Sequence, residues 1–362
     1  MHLPVMPPIA PMLARLTREL PTDGFVYEPK WDGFRCLAFR DGGDVDLRSR
    51  HDRPLARYFP ELVEALRTLP DEQIVLDGEI VLAAGTPTSG KDAAAGFDFA
   101  ALMSRLHPSA SRVERLRHEM PAAYIAFDLL AIGRDDVTSS PFADRRRRLE
   151  QAFATARPPL FLTPATRDAD IAAEWFRRFR GAGVDGVVAK PEGLHYEPGK
   201  RAMVKVKHER TADCVLAGVR LFPDRPAISS LLLALYNDED QLQHVGVVTQ
   251  LPGDDRDALL RELAPLAIPL EEHPWRNGFL IGRSPLGRLK GSASRWTPDM
   301  EHDWIPMRPE RVLEVGFDQV DVDRFRHPAR FRRWRLDRDP RSCRLEQIEV
   351  DPSELSGILA AS

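Results

Sequence analysis

Residues 28–35 read EPKWDGFR, that is Glu28-Pro29-Lys30-Trp31-Asp32-Gly33-Phe34-Arg35. If the stretch begins as a β-strand, Lys30 and Asp32 point to one face, because side chains alternate along a strand. Gly33 then permits a sharp turn, which carries Arg35 round towards the same side against strict alternation. Alone, a lysine ahead of an Asp-Gly turn is more often a solvated hairpin charge than a reactive group. The balance shifts when the polar residues of other apolar strands are set beside it.

Three strands supply them. In EQIVLDGEIVLA (72–83) one face carries Ile74, Leu76, Ile80 and Leu82, and the other carries Asp77 and Glu79. Taken singly, that pattern suits an edge strand with a wet face. In RAMVKVKH (201–208) Lys205 and Lys207 share a face with Met203, and paired lysines are also a phosphate site. VDGVVAK (184–190) opens an apolar strand with Asp185 and closes it with Lys190.

Around these strands the pattern is mixed α+β. RCLAFR and DVDLRSR flank Asp41-Gly42-Gly43, a hairpin signal. YFPELVEALRTL has helical spacing, with Leu62, Leu66 and Leu69 near one face. Helices are also expected over 97–106, 111–120 and 168–183, the last ended by Gly181 or Gly183, and AAYIAFDLLAI (122–132) reads as a buried strand. Past His208 the character changes. Strands over 213–222, 227–236 and 241–250, a helix over 254–266 and a strand over 311–317 suit a small closed barrel of the OB type. The boundary falls near 208–212, so residues 1–210 form a first domain and 211–362 a second.

Composition is consistent with this and excludes other classes. The chain has 362 residues, enough for two cores, with 43% hydrophobic and 29% charged residues. No apolar run approaches the ~18 residues that read as a membrane span, and MHLPVMPPIA lacks the marks of a signal peptide. A cytosolic protein without a membrane partner is expected. Cys36, Cys214 and Cys343 are scattered without metal-site spacing, which argues against structural zinc and a disulfide framework. Net charge is −4, so a nucleic-acid partner has to be held by a local basic patch. Gly85-Thr86-Pro87-Thr88-Ser89-Gly90-Lys91-Asp92 comes near a P-loop, but Asp92 stands where a hydroxyl belongs and Pro87 removes a backbone N–H. It reads as an exposed loop.

The strands resemble, in order, the motifs of ATP-dependent DNA ligases. Lys30-Trp31-Asp32-Gly33-Phe34-Arg35 resembles the lysine motif, Ser49-Arg50 the next, Asp77-Gly78-Glu79 the DGE strand and Phe127-Asp128-Leu129-Leu130 the aromatic strand. Asp185-Gly186-Val187-Val188-Ala189-Lys190 and Lys205-Val206-Lys207 follow, and RFRHPARFRRWRLDRDP (324–340) resembles the C-terminal motif. Each motif is weak alone, but seven in order over nearly the whole chain are specific. The nearest resemblance is to the mycobacterial C-type ligases, short two-domain enzymes without an N-terminal DNA-binding domain.

The resemblance implies an adenylylation (nucleotidyltransferase) domain of antiparallel sheets with flanking helices, then an all-β OB barrel. It also implies sealing of 5′-phosphate, 3′-hydroxyl nicks in duplex DNA, in repair, by a monomer of the bacterial cytosol or nucleoid. A repair polymerase or primase-polymerase is an implied partner. Lys30 becomes the nucleophile that forms lysyl-AMP from ATP, with Mg²⁺ or Mn²⁺. Glu28 is to recognise the adenine amine, Phe127 to stack on the ring, and Glu79 to bind the ribose hydroxyl. Arg50 is to contact a phosphate, Asp32 to serve sealing, and Lys190 to line the nucleotide site. Arg335 and Arg338 are to reach the β,γ-phosphates. Asp185, with Glu79, is to place the metal; the family usually has Glu at position 185, and Asp185 in an Asp-Gly pair also reads as a turn cap.

A lysine with a pKa of ~10.4 costs about 4–5 kcal/mol to neutralise at pH 7. Like charges depress such a pKa, and Arg35, Lys205, Lys207 and the metal are expected to do so here. Nine arginines with Phe325, Phe331 and Trp334 over 324–344 form the local basic patch, whereas Arg145–Arg148 reads as the polar side of a helix. RNA-strand ligases and mRNA-capping guanylyltransferases share the lysine chemistry, and a non-catalytic DNA-binding protein is the alternative of another class.

Overall fold

The chain changes sheets between Trp31 and Phe34. In the computed structural model, residues 1–82, 99–178, 184–207, 210–251, 256–281, 284–285, 304–321 and 323–349 are described. The Gly85–Asp92 loop, Gly181, Gly183 and the start of the helix expected from 254 lie outside the described residues. The chain divides into two compact units, the second spanning Glu209–Val350.

In the first unit, β1 (Ala14–Thr17) and β2 (Phe25–Trp31) belong to one sheet. The next strands, β3 (Phe34–Asp41), β4 (Asp44–Ser49), β5 (Gln73–Leu82), β6 (Ala122–Ile132) and β7 (Asp135–Asp136), form another, with β8 (Leu160–Leu162) beside β6. The chain then returns to the first sheet as β9 (Val184–Pro191) and β10 (Met203–Val206), giving the order β1-β10-β9-β2. The Asp32-Gly33 turn is therefore a corner between sheets and not a hairpin. Its glycine is needed for close approach, since a Cβ there would stand 2.1 Å from the Ile80 carbonyl oxygen. The hairpin at Gly42 forms as expected, pairing Asp41 with Asp44.

Helices cover the outer faces. They are α1 (Pro60–Leu66), α2 (Phe99–Ser104), α3 (Ala110–Glu119), α4 (Phe142–Ala152) and α5 (Ala169–Arg178). Leu62 and Leu66 of α1 pack with Leu76, Ile80 and Tyr124 on one side of the larger sheet. Ala172 of α5 packs with Tyr27, Val187 and Val204 on the far side of the smaller sheet. Between the sheets lie Leu37, Phe39, Val75 and Met203, and beside them Trp31, Val81, Ile125 and Val184. This layering explains why β6 is apolar apart from Asp128: both of its faces are covered.

Two expectations are corrected by the layering. β5 is no edge strand; it pairs with β3 on one side and β6 on the other. Its Asp77 face is turned between the sheets, and Asp77 is fully buried. Arg145–Arg148 is likewise not a uniformly polar face. Arg145 and Arg146 are buried with Phe142, Leu149 and Ala152, while Arg147 has a side chain 64% exposed. Arg145 makes a two-point ion pair to buried Asp128, Nε–Oδ1 2.8 Å and Nη2–Oδ2 2.9 Å. It also donates to the carbonyls of Ser140 and Leu194. Each of the three guanidinium nitrogens thus donates, which offsets the cost of removing two charges from water.

The second unit is a closed barrel. β11 (Arg210–Phe222), β12 (Arg225–Tyr236) and β13 (Leu242–Gln250) run consecutively, and α6 (Arg256–Leu263) follows. The short strands β14 (Leu280–Ile281), β15 (Ser284–Pro285) and β16 (Ile305–Pro306) precede β17 (Val312–Phe317); β18 (Val320–Asp321) and β19 (Arg324–Phe325) precede β20 (Ala329–Trp334). The ring is β11-β12-β13-β20-β17-β11, with β13 and β20 parallel, as in an OB barrel. The arginine-rich run thus supplies a barrel strand, with Val315 paired to Phe331 and Leu313 to Trp334. All three cysteines are free and buried.

Removing one partner of the Asp128–Arg145 pair leaves a buried charge uncompensated. Asp128→Ala is expected to cost about 3–5 kcal/mol, and Asp128→Leu with Arg145→Met much less. Urea unfolding of the three proteins checks this; an Asp128→Ala midpoint equal to that of wild type would contradict it.

Candidate active site

Strand alternation and the corner at Gly33 bring two sets of polar side chains face to face. From the smaller sheet come Glu28 and Lys30 of β2, Asp185 of β9, Lys205 of β10, and Lys207 just beyond it. From the larger sheet come Arg35 of β3, Asp77 and Glu79 of β5, and Phe127 of β6. A register shift between Pro29 and Trp31 lets Trp31 turn into the apolar layer, where its Nε1–H donates to Thr163 Oγ1 at 2.8 Å.

Asp185 is the hub of the smaller sheet's half. Its Oδ2 lies 2.9 Å from Lys30 Nζ and 2.6 Å from Lys207 Nζ. It stands within a strand rather than capping a turn, next to Gly186 at φ 134°. A Cβ on Gly186 would lie 2.0 Å from the Val206 carbonyl oxygen, so glycine lets β9 close on β10 and hold Asp185 beside the lysines.

The expectation that like charges depress the pKa of Lys30 is corrected. Burial does act to lower it, but Asp185 outweighs this with help from Asp32 and Glu79, and the pKa is raised. The cations expected to depress it are themselves engaged: Lys207 by Asp185, and Arg35 by Asp77 at 2.5 and 2.6 Å. Lys205 is the lysine whose pKa falls, through burial and then the charges of Lys207 and Lys30.

On the other sheet, Asp77 also accepts from Tyr196 Oη at 2.7 Å. Arg35 is therefore anchored at its carboxylate, with its guanidinium carbon 4.4 Å from the centre of the Phe127 ring. Glu79 accepts from the Gly33 backbone N–H at 3.1 Å. Burial, opposed by Arg35 and Lys30, pushes its pKa from 4.5 up to about 7.

Glu28 lies at the floor, 2% exposed. Its Oε2 meets Lys190 Nζ at 2.7 Å, and its Oε1 lies 3.5 Å from Arg146 Nη1. Lys190 also donates to the Phe127 carbonyl at 2.7 Å. Arg50 is exposed immediately after β4, where the register of Cys36 with Ser49 carries it to the level of Arg35.

Arg335 and Arg338 belong to the barrel unit. Arg335 Nη1 meets both oxygens of Asp213 at 3.0 and 3.1 Å, and Arg338 Nε lies 3.5 Å from Asp213 Oδ2. Other arginines of the expected basic patch are also paired: Arg330 with Asp318 at 2.7 Å, Arg333 with Glu314 at 2.7 Å and Arg344 with Asp240 at 2.6 Å. Much of that positive charge is compensated within the barrel.

Sequence reading missed Arg146, Asp128 with Arg145, and Tyr196. A signal existed for the arginines: Phe142, Arg145, Arg146, Leu149 and Ala152 follow helical spacing, which places two arginines on the apolar stripe. For Tyr196 there was none, since it sits outside any strand or helix.

A lysine facing carboxylates between two sheets, antiparallel except for the β1–β10 and β6–β8 pairs, followed in the chain by an OB barrel, is the arrangement of a nucleotidyltransferase. Residues 9–207 match the ATP dependent DNA ligase domain, and residues 224–338 match the ATP dependent DNA ligase C terminal region. The chain is 50% identical over 358 residues to DNA ligase C2 of Mycolicibacterium smegmatis, covering 98% of each. It is 48% identical over 354 residues to DNA ligase C of Mycobacterium tuberculosis, covering 96% of each. A solved Lig E DNA ligase shares the fold, with a TM-score of 0.53 at 17% identity over 90% of this chain and 100% of that one. The chain belongs to the ATP-dependent DNA ligases.

Two outcomes test the electrostatics. Asp185→Asn removes the carboxylate that raises Lys30, so Lys30 should react faster with an amine reagent at pH 8, read by peptide mass spectrometry. Unchanged reactivity would remove Asp185 as its counter-ion. Glu79 has a raised pKa, so its folded state holds the proton more tightly than the unfolded chain does. The stability it contributes is present below pH 4.5 and lost as pH rises through about 7. Glu79→Gln should therefore lose less stability than wild type between pH 5 and pH 8 in urea unfolding; a larger loss would reverse the assignment.

Proposed function

We propose that this chain seals nicks in duplex DNA with ATP. Lys30 Nζ, as the neutral amine, attacks the α-phosphorus, forming a P–N bond as pyrophosphate leaves. AMP then passes to the 5′-phosphate of the nick, freeing Lys30. The 3′-hydroxyl attacks that phosphate and AMP leaves. The observation that carries the reading is Lys30 beside Asp185, Lys207 and Glu79 in the cleft of a chain that matches the ligase family along both units.

The chain's residues divide the work. Glu28 meets the adenine amine, Phe127 lies against the ring and Glu79 takes the ribose hydroxyl. Lys205, Lys207 and Arg50 meet phosphate oxygens, while Asp32 acts in sealing. Lys190 fixes Glu28 from below. Arg335 and Arg338 meet the β,γ-phosphates. Arg35, anchored by Asp77, supports the phosphate-facing side. Asp185 pairs with Lys30 at rest and also with Lys207.

Among the described residues no group of three or more His, Cys, Asp or Glu forms a metal cage. Both lysines lie on Oδ2 of Asp185, a single hard carboxylate, and Mg²⁺ usually takes one or two carboxylates together with substrate phosphates. Those residues fit Mg²⁺ or Mn²⁺ held by Asp185, and the ion would supply neutralisation of phosphate charge. No helix among the described residues is long and apolar enough to cross a membrane. The family resemblance supports a cytosolic repair role alongside a repair polymerase.

Incubation with α-labelled ATP and a nicked duplex should label wild type and seal the nick, whereas Lys30→Ala should show neither. Label retained by Lys30→Ala would exclude Lys30 as nucleophile. Label from GTP in place of ATP would point to a capping-type guanylyltransferase.

A further inference from the structure

The two oxygens of Glu28 are held unequally. Oε2 is fully engaged by Lys190 at 2.7 Å, and Lys190 is itself 2% exposed, tied to the Phe127 carbonyl and close to the rings of Phe127 and Phe142. Among the described residues Oε1 has only the long contact to Arg146 at 3.5 Å. Arg146 does not spend its fork there, because its Nε pairs with Glu150 Oε1 at 2.7 Å on the solvent side of α4. The guanidinium therefore spans two carboxylates, one buried and one half-exposed. It stands near Oε1 without saturating it, leaving that oxygen able to accept a further N–H.

We propose that Arg146 is a positioning residue for base selection, holding the Glu28 carboxylate so that Oε1 faces the exocyclic amine of adenine. The inference rests on the reading of Glu28 as the adenine partner. An ionised oxygen aimed at that edge attracts an N–H donor and repels the O6 acceptor of guanine or hypoxanthine. Burial and three side chains set its charge: burial opposes the carboxylate, Lys190 of β9 and Arg146 of α4 favour it, and Asp128 of β6 opposes it. Burial is the largest, and the Glu28 pKa is raised. Removing Arg146 deletes one of the two cations that restrain the rise. Arg146 is thus bound to Glu28 by geometry and by charge, and among the described residues its partners are Glu28 and Glu150, not Lys30 or Asp185.

The test compares lysyl-nucleotide formation from ATP and from purine riboside triphosphate, which lacks the amine, in the full-length chain at several pH values. Wild type should prefer ATP, and Arg146→Gln should lower that preference by about tenfold, the loss of one modest polar interaction. The fall of the preference at acid pH should begin at higher pH in Arg146→Gln. Arg146→Lys keeps the charge but has a single nitrogen that cannot span Glu28 and Glu150, and should lie between the two. It also carries the test if Arg146→Gln fails to fold. A folded Arg146→Gln with the wild-type preference and acid limb, or an Arg146→Lys indistinguishable from wild type, would overturn the proposal. A wild type that forms lysyl-AMP yet shows no preference for ATP over the amine-free analogue would instead remove the Glu28 role beneath it.

Discussion

The close packing of Gly33 against the Ile80 carbonyl is the constraint on which the site depends. At 2.1 Å from any added Cβ, that carbonyl admits only glycine without backbone movement. The contact lets the chain leave one sheet at Trp31 and enter another at Phe34. Lys30 and Arg35, five residues apart, thereby come to stand on opposite walls of one cleft. A hairpin would have kept them in a single sheet with both charges exposed to water.

Once the walls face each other, charge has to balance across a layer partly closed to solvent. Asp185 meets two lysines, Asp77 one arginine and one tyrosine, and Glu28 one lysine and one arginine. Each carboxylate is held by a cation, because an unpaired charge in such a layer is costly. The consequence for chemistry is that Lys30 rests as a paired ammonium. In its proposed role as nucleophile it has to be released by what binds, since Asp185, Asp32 and Glu79 together outweigh burial and raise its pKa in the resting site. Asp185 is brought to both lysines by the close approach of β9 to β10 at Gly186.

Much of this was legible in sequence because local chemistry repeats in strands. Alternation placed Asp77 with Glu79 and Lys205 with Lys207, and the order of motifs identified the family. The barrel strands were readable up to β13 and again at β17. The arginine-rich run was not read as a strand, since its charges hide the pairing of Val315 with Phe331 and Leu313 with Trp334. The helix α4 misled in the opposite direction: four consecutive arginines look solvated, yet two are drawn inward by Asp128 and Glu28.

By itself the sequence determined which residue types lie on which strand face, the presence of two units and the membership of the ligase family. Those properties depend on spacing along the chain, which tertiary contacts leave unchanged. Only the tertiary structure decided the partners of each charge: Asp185 with Lys30 and Lys207, Arg35 with Asp77, Arg146 with Glu28. These pairs join residues 22 to 155 positions apart. Their energies depend on burial and distance, and neither exists until the two sheets have closed on each other.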